Sequence, residues 1–104
     1  MELDRKIRQF LVHSFLYYKL DESIIEDYEY DKICVDLKSM IDSSVDYIYK
    51  DLIEKSLGSE GSGFSIRKYP PKIISSAFHL LYQEKYKNIK PFDIFVKTYG
   101  YKIT

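Results

Sequence analysis

Tyr17, Tyr18, Asp27, Tyr30 and Asp31 are the residues of this chain whose types and spacing could do chemistry. Aromatic faces carry a negative quadrupole that attracts a flat cationic ring. Carboxylates beside them add Coulombic attraction and accept hydrogen bonds from amide or hydroxyl donors. Tyr17 and Tyr18 fall at the end of one helical pattern, and Tyr30 and Asp31 in the first turn of the next. A helical hairpin would bring the two ends together, with residues 19–26 folded over them. The same residues have a plainer reading. Among 11 tyrosines an adjacent pair is easily met. A tyrosine near a helix start often packs on the preceding turn, and an aspartate there caps the helix with no ligand involved.

The positioning elements are read from apolar periodicity. Leu3, Ile7, Phe10, Leu11, Phe15 and Tyr18 predict a helix from about Glu2 to Tyr18. Leu20 to Ile25 breaks the pattern, and Asp27 reads as the N-cap of a second helix, accepting from the N–H of Glu29 or Tyr30. That helix uses Tyr30, Ile33, Cys34, Leu37, Met40 and Ile41. Ser43-Ser44 reads as the next cap, before a third helix from Val45 to Leu57 that Gly58 would stop. Residues 58–63, GSEGSG, read as a flexible connector, because the Lys-Ser/Thr of a phosphate-binding loop does not follow. Phe64 to Tyr69 is short and extended; Phe64–Ile66 and Tyr101–Ile103 are the strand candidates. Pro70-Pro71 opens a fourth helix to about Lys87, burying Ile73, Ile74, Ala77, Phe78, Leu81 and Tyr82. Pro91 opens a short last helix with Phe92, Phe95, Val96 and Tyr99 inward and Gly100 as its stop. The expectation is an all-α fold, a compact bundle of four or five helices. Residues 1–104 form a single domain, with the hairpin in 1–42 and additional helices in 43–104.

Composition narrows the function classes. Lys plus Arg and Asp plus Glu number 16 each, so net charge makes no case for direct nucleic-acid binding. No apolar run approaches the roughly 20 residues of a membrane span, and MELDRKIRQF lacks the apolar region of a signal peptide. One cysteine cannot form an internal disulfide, and Cys and His are too few for a structural zinc site. A cytoplasmic protein is expected. Its richness in Tyr, Lys and Ile suggests an AT-rich genome, such as that of a low-GC bacterium or its phage. His79 lies beside an apolar stripe and reads as structural. Cys34 reads as a small core residue. Arg67, Lys68, Lys72, Lys85, Lys87 and Lys90 make the second half locally basic, which a solvated surface explains.

Residues 13–37, HSFLYYKLDESIIEDYEYDKICVDL, resemble the first domain of NAD-dependent DNA ligases. That family shows a pattern close to His-x-Tyr-x-Tyr-Tyr/His-x-x-Asp-x-Pro-x-Ile-x-Asp-Ala-Glu-Tyr-Asp, followed by an apolar helix. This chain reads His13, Phe15, Tyr17, Tyr18, Asp21, Ile25, Asp27, Glu29, Tyr30 and Asp31 in the same frame without a gap. Ser23, Glu26 and Tyr28 depart from it. The resemblance implies recognition of NAD or nicotinamide mononucleotide, with Tyr17, Tyr18, Asp27, Tyr30 and Asp31 around the nicotinamide nucleotide. The family's Lys-x-Asp-Gly nucleophile motif has no match; Lys19-Leu20-Asp21-Glu22 lacks the Gly, and Lys19 reads as a solvated turn residue. The expected role is therefore orientation without catalysis, with a ligase adenylation subunit that carries the nucleophile as the partner the resemblance implies. No metal is expected. The alternative is a protein-interaction module that kept the hairpin but not the ligand. In it Tyr28 would fill the pocket, and Phe92, Phe95, Tyr99 and Tyr101 would anchor a protein partner.

Overall fold

Helical spacing of apolar residues does build helices. A computed structural model describes residues 2–102 of the chain. It contains α1 (Glu2–Phe15), α2 (Asp27–Met40), α3 (Lys50–Glu60), α4 (Pro71–Leu81) and α5 (Phe92–Thr98). No strand occurs among the described residues. α1 is the hub: it packs against both α2 and α4, and α2 also meets α3. Its Ile7, Phe10, Leu11 and Phe15 are fully buried, facing a core that includes Leu37, Ile53, Leu57, Phe78, Leu81 and Phe95. Burying each such side chain contributes about 1.5–3 kcal/mol. No helix among the described residues is long and apolar enough to cross a membrane.

The first helix does not stop at Tyr18. It widens into a π-helical turn over Leu16–Leu20, closed by Asp21 in the left-handed region (φ 53°, ψ 40°), whose N–H bonds to the Leu16 carbonyl. Aspartate tolerates that conformation better than most residues. A second π turn, Tyr82–Tyr86, follows α4 in the same way. Such turns insert an extra residue into a helix and often mark functional positions.

Three boundaries differ from the sequence expectation. Glu26, not Asp27, is the N-cap of α2; its carbonyl accepts from Glu29 and Tyr30 N–H, and no side chain caps the helix. Asp27 is therefore the first helical residue. α3 starts at Lys50 rather than Val45, because Tyr49 sits in the left-handed region (φ 54°) and breaks the helical run. Before it, the Asp42 carboxylate accepts from the Ser44 N–H and hydroxyl, which forms a turn. α3 also runs past Gly58 to Glu60. Gly61 is the true terminator, at φ 75° with its N–H on the Leu57 carbonyl. Half of the expected GSEGSG connector is thus helical. Phe64–Ile66 is a turn, with Ile66 N–H on the Gly63 carbonyl at 3.2 Å. In the other strand candidate, Ile103 lies outside the described residues, and Tyr101 and Lys102 are irregular.

Candidate functional site

The π turn and the start of α2 bring the predicted residues together. Tyr17 and Tyr18 have ring centroids 4.8 Å apart. Tyr30 meets Tyr17 edge-on at 5.5 Å and Tyr18 at 6.0 Å. The two upper rings are half-buried, and Asp27 and Asp31 are exposed beside them. The charge of Asp27 is the main reason the Tyr17 phenol is pushed above its ordinary pKa, with Asp31 adding to it. Both carboxylates thus bear electrostatically on the Tyr17 ring. The Tyr17 and Tyr18 rings are tilted by 35° and leave no gap for a third ring at 4.8 Å, so a planar ligand would lie on the pair rather than between its members.

Tyr30 has a different part. It is 3 % exposed. Its hydroxyl shares a 2.7 Å hydrogen bond with Ser14 Oγ and accepts from Gly63 N–H at 3.1 Å. Burial raises its pKa, against the opposing pull of those two bonds. It is the floor on which Tyr17 and Tyr18 stand, not an open face. Gly63 is needed there for close approach. A Cβ on it would sit 2.6 Å from Ser14 Cβ and closer still to Ser14 Oγ. The glycine-rich segment is therefore pinned to α1 and α2.

Tyr28 does not fill the site: it is 71 % exposed. Nor are the C-terminal aromatics free anchors. Phe95 is fully buried among Phe78, Tyr82 and Tyr86, while Phe92, Tyr99 and Tyr101 are half-buried. Cys34 is buried, which raises its thiol pKa. His13 is half-buried, and desolvation lowers its pKa against the pull of Glu29. His79 is exposed and stacks on Phe92 at 4.3 Å. Among the described residues no group of three or more His, Cys, Asp or Glu is arranged to hold a metal ion.

No protein-family model, no curated protein and no solved structure matches the chain. The site therefore has to be read from its own residues. Several of these carry no signal in the local pattern. Phe64 is 72 % exposed yet meets Tyr18 edge-on at 5.6 Å, extending the aromatic surface. Glu22 accepts hydrogen bonds from the Tyr86 hydroxyl and, at 2.6 Å, from the Tyr99 hydroxyl. Lys85 Nζ donates to the Ser23 carbonyl at 3.2 Å. The connection after the π turn is thus tied to the C-terminal third of the chain. Sequence separations of 62 to 77 residues put these pairings beyond any local motif.

Proposed function

We propose that this chain recognises the nicotinamide mononucleotide moiety, free or as part of NAD, on the platform formed by Tyr17 and Tyr18. The observation that carries the reading is the half-buried Tyr17–Tyr18 pair, ring centroids 4.8 Å apart, with the exposed carboxylates of Asp27 and Asp31 bearing on Tyr17. A cationic nicotinamide ring gains from both the ring quadrupole and the carboxylates. Asp27 and Asp31 also offer acceptors for the carboxamide and ribose hydroxyls. Tyr30 sets the platform's height and tilt. The likeness of residues 13–37 to the first domain of NAD-dependent DNA ligases supports the same reading. It assigns the chain a recognition role, with any adenylation chemistry supplied by a second protein.

Thermal unfolding with nicotinamide mononucleotide, NAD and ribose 5-phosphate tests it. A ligand at about 100 times its Kd adds ~2.7 kcal/mol, a rise of roughly 10–20 °C for a domain of this size. The mononucleotide and NAD are expected to stabilise well beyond ribose 5-phosphate, and Asp27→Asn/Asp31→Asn to abolish that difference. Equal shifts with all three compounds would refute the proposal.

A second reading rests on Tyr28, exposed in the first turn of α2, and Phe64, exposed beside Tyr18. Under it the surface docks a protein partner. Tyr28→Ser/Phe64→Ser would then abolish partner capture while leaving nucleotide stabilisation unchanged.

A further inference from the structure

A separate cleft of about 290 Å³ opens between the π turn after α1, the segment leading into α4, and Tyr101. Its charged lining residues are Lys19, Arg67 and Lys68, with no carboxylate among them. All three are exposed. Among the described residues the one ion pair is Arg5–Glu2, so none of the three has a carboxylate of a described residue within 4 Å. In a chain of zero net charge, three cations around one cleft form a local excess of positive charge. The walls are aromatic: Phe15, Tyr69 and Tyr101. Tyr69 is 4 % exposed, and its buried hydroxyl has no hydrogen-bond partner. With its hydroxyl closed to solvent, Tyr69 offers this cleft its ring rather than a donor.

The start of α4 borders the cleft at Pro71. Pro70 and Pro71 have no N–H, and the N–H groups of Ile73 and Ile74 are bonded to the Pro70 carbonyl. The helix can lend its dipole but no row of donors. An anion here is held by side chains. Arginine grips phosphate with a planar fork, and the two lysines add point charges.

We propose that this cleft binds a small phosphomonoester with an aromatic body. Its phosphate lies on Lys19, Arg67 and Lys68, and its ring lies against Tyr69 and Tyr101. The volume sits at the lower edge of small-molecule pockets, near ~300 Å³. That volume suits one ring and one phosphate. The site shares no residue with the Tyr17–Tyr18 platform and does not depend on it.

The test is a backbone-amide NMR titration of the full chain with phenyl phosphate, and with inorganic phosphate and phenol as its separate halves, at matched ionic strength. Saturable shifts are expected at Lys19, Arg67, Lys68, Tyr69 and Tyr101, with phenyl phosphate binding more tightly than either half. Lys19→Gln/Arg67→Gln/Lys68→Gln changes exposed side chains only and should weaken binding at least about tenfold, as loss of charge-assisted contacts predicts. Tyr17→Ala should leave the affinity unchanged, which separates this site from the nicotinamide platform. Shifts that fail to saturate, or that persist in the triple variant, overturn the proposal. Inorganic phosphate binding as tightly as phenyl phosphate overturns the assigned ligand class.

Discussion

Tyr30 and Tyr69 are both buried tyrosines that pack on α1, the first against Phe10 and the second edge-on against Phe15. Their hydroxyls differ. Tyr30 is satisfied by Ser14 and Gly63, whereas Tyr69 has no partner. Burial raises the pKa of both phenols, so desolvation alone does not distinguish them. Hydrogen-bond satisfaction does. The Tyr30 region is a closed structural joint between α1, α2 and the glycine-rich segment. The Tyr69 region keeps an unpartnered, solvent-closed hydroxyl on a residue that also lines a cationic cleft.

The largest expected effect comes from closing the gap at Gly63. Gly63→Ala drives a methyl group into Ser14 and breaks the approach that the Tyr30 hydroxyl requires. A loss of ~3 kcal/mol is expected, combining overpacking with a lost buried hydrogen bond. Chemical denaturation measures it; a loss under ~1 kcal/mol would show that the joint is loose. Tyr30→Phe should cost about 2 kcal/mol, because it orphans both Ser14 Oγ and Gly63 N–H. Tyr69→Phe should have the opposite sign. It removes a hydroxyl that bonds to nothing, and a gain of up to ~1 kcal/mol is expected. If the two tyrosine variants shift stability in the same direction, the contrast between the regions fails.

Glu22 offers a finer test, since two more tyrosines depend on it. Desolvation works against its ionisation, but the donors Tyr86 and Tyr99, helped by Lys85, outweigh this and hold its pKa below the ordinary value of 4.5. A carboxylate whose pKa is lowered by folding stabilises the fold fully above its unfolded pKa, and that contribution is lost as pH falls through the folded value. The wild type should therefore lose stability below about pH 4.5. Glu22→Gln should cost about 1 kcal/mol at neutral pH, the low end for bonds to a charged but partly exposed group. It should also flatten the acid limb. Denaturation midpoints from pH 3 to pH 7 compare the two proteins. Parallel curves would show that the three side chains are not coupled.

The all-α fold and the starts of the last two helices were legible, because Pro71 opens α4 and Pro91 caps α5 on fixed backbone angles. The start of α3 was not. Val45, Ile48 and Tyr49 keep helical spacing, but Lys50 Nζ takes the carbonyls of Ser43 and Val45 as acceptors, and Tyr49 turns left-handed. A long-range or side-chain claim on backbone groups leaves no mark in periodicity. The glycine stop was misplaced for a related reason. Gly58 remains helical, and it is Gly61 that adopts the positive φ a terminator needs. At the platform, Tyr17, Tyr18 and Tyr30 are neighbours, as the hairpin reading expects, but Tyr30 is buried rather than open. Its partners lie 16 and 33 residues away, and only the packing of α1 on α2 reveals that its hydroxyl is already engaged.

The π turn at Leu16–Leu20 has a consequence for how this surface could change over time. Each residue added to a helix rotates everything after it by about 100°. Deleting one residue from the turn would restore an ordinary helix and keep nearly every side chain. The aromatic pair would nonetheless swing away from Asp27 and Asp31, while Lys19 left its cleft. The aim of both surfaces is thus set by a count of residues rather than by their chemistry, so single-residue insertions and deletions here should be more disruptive than most substitutions.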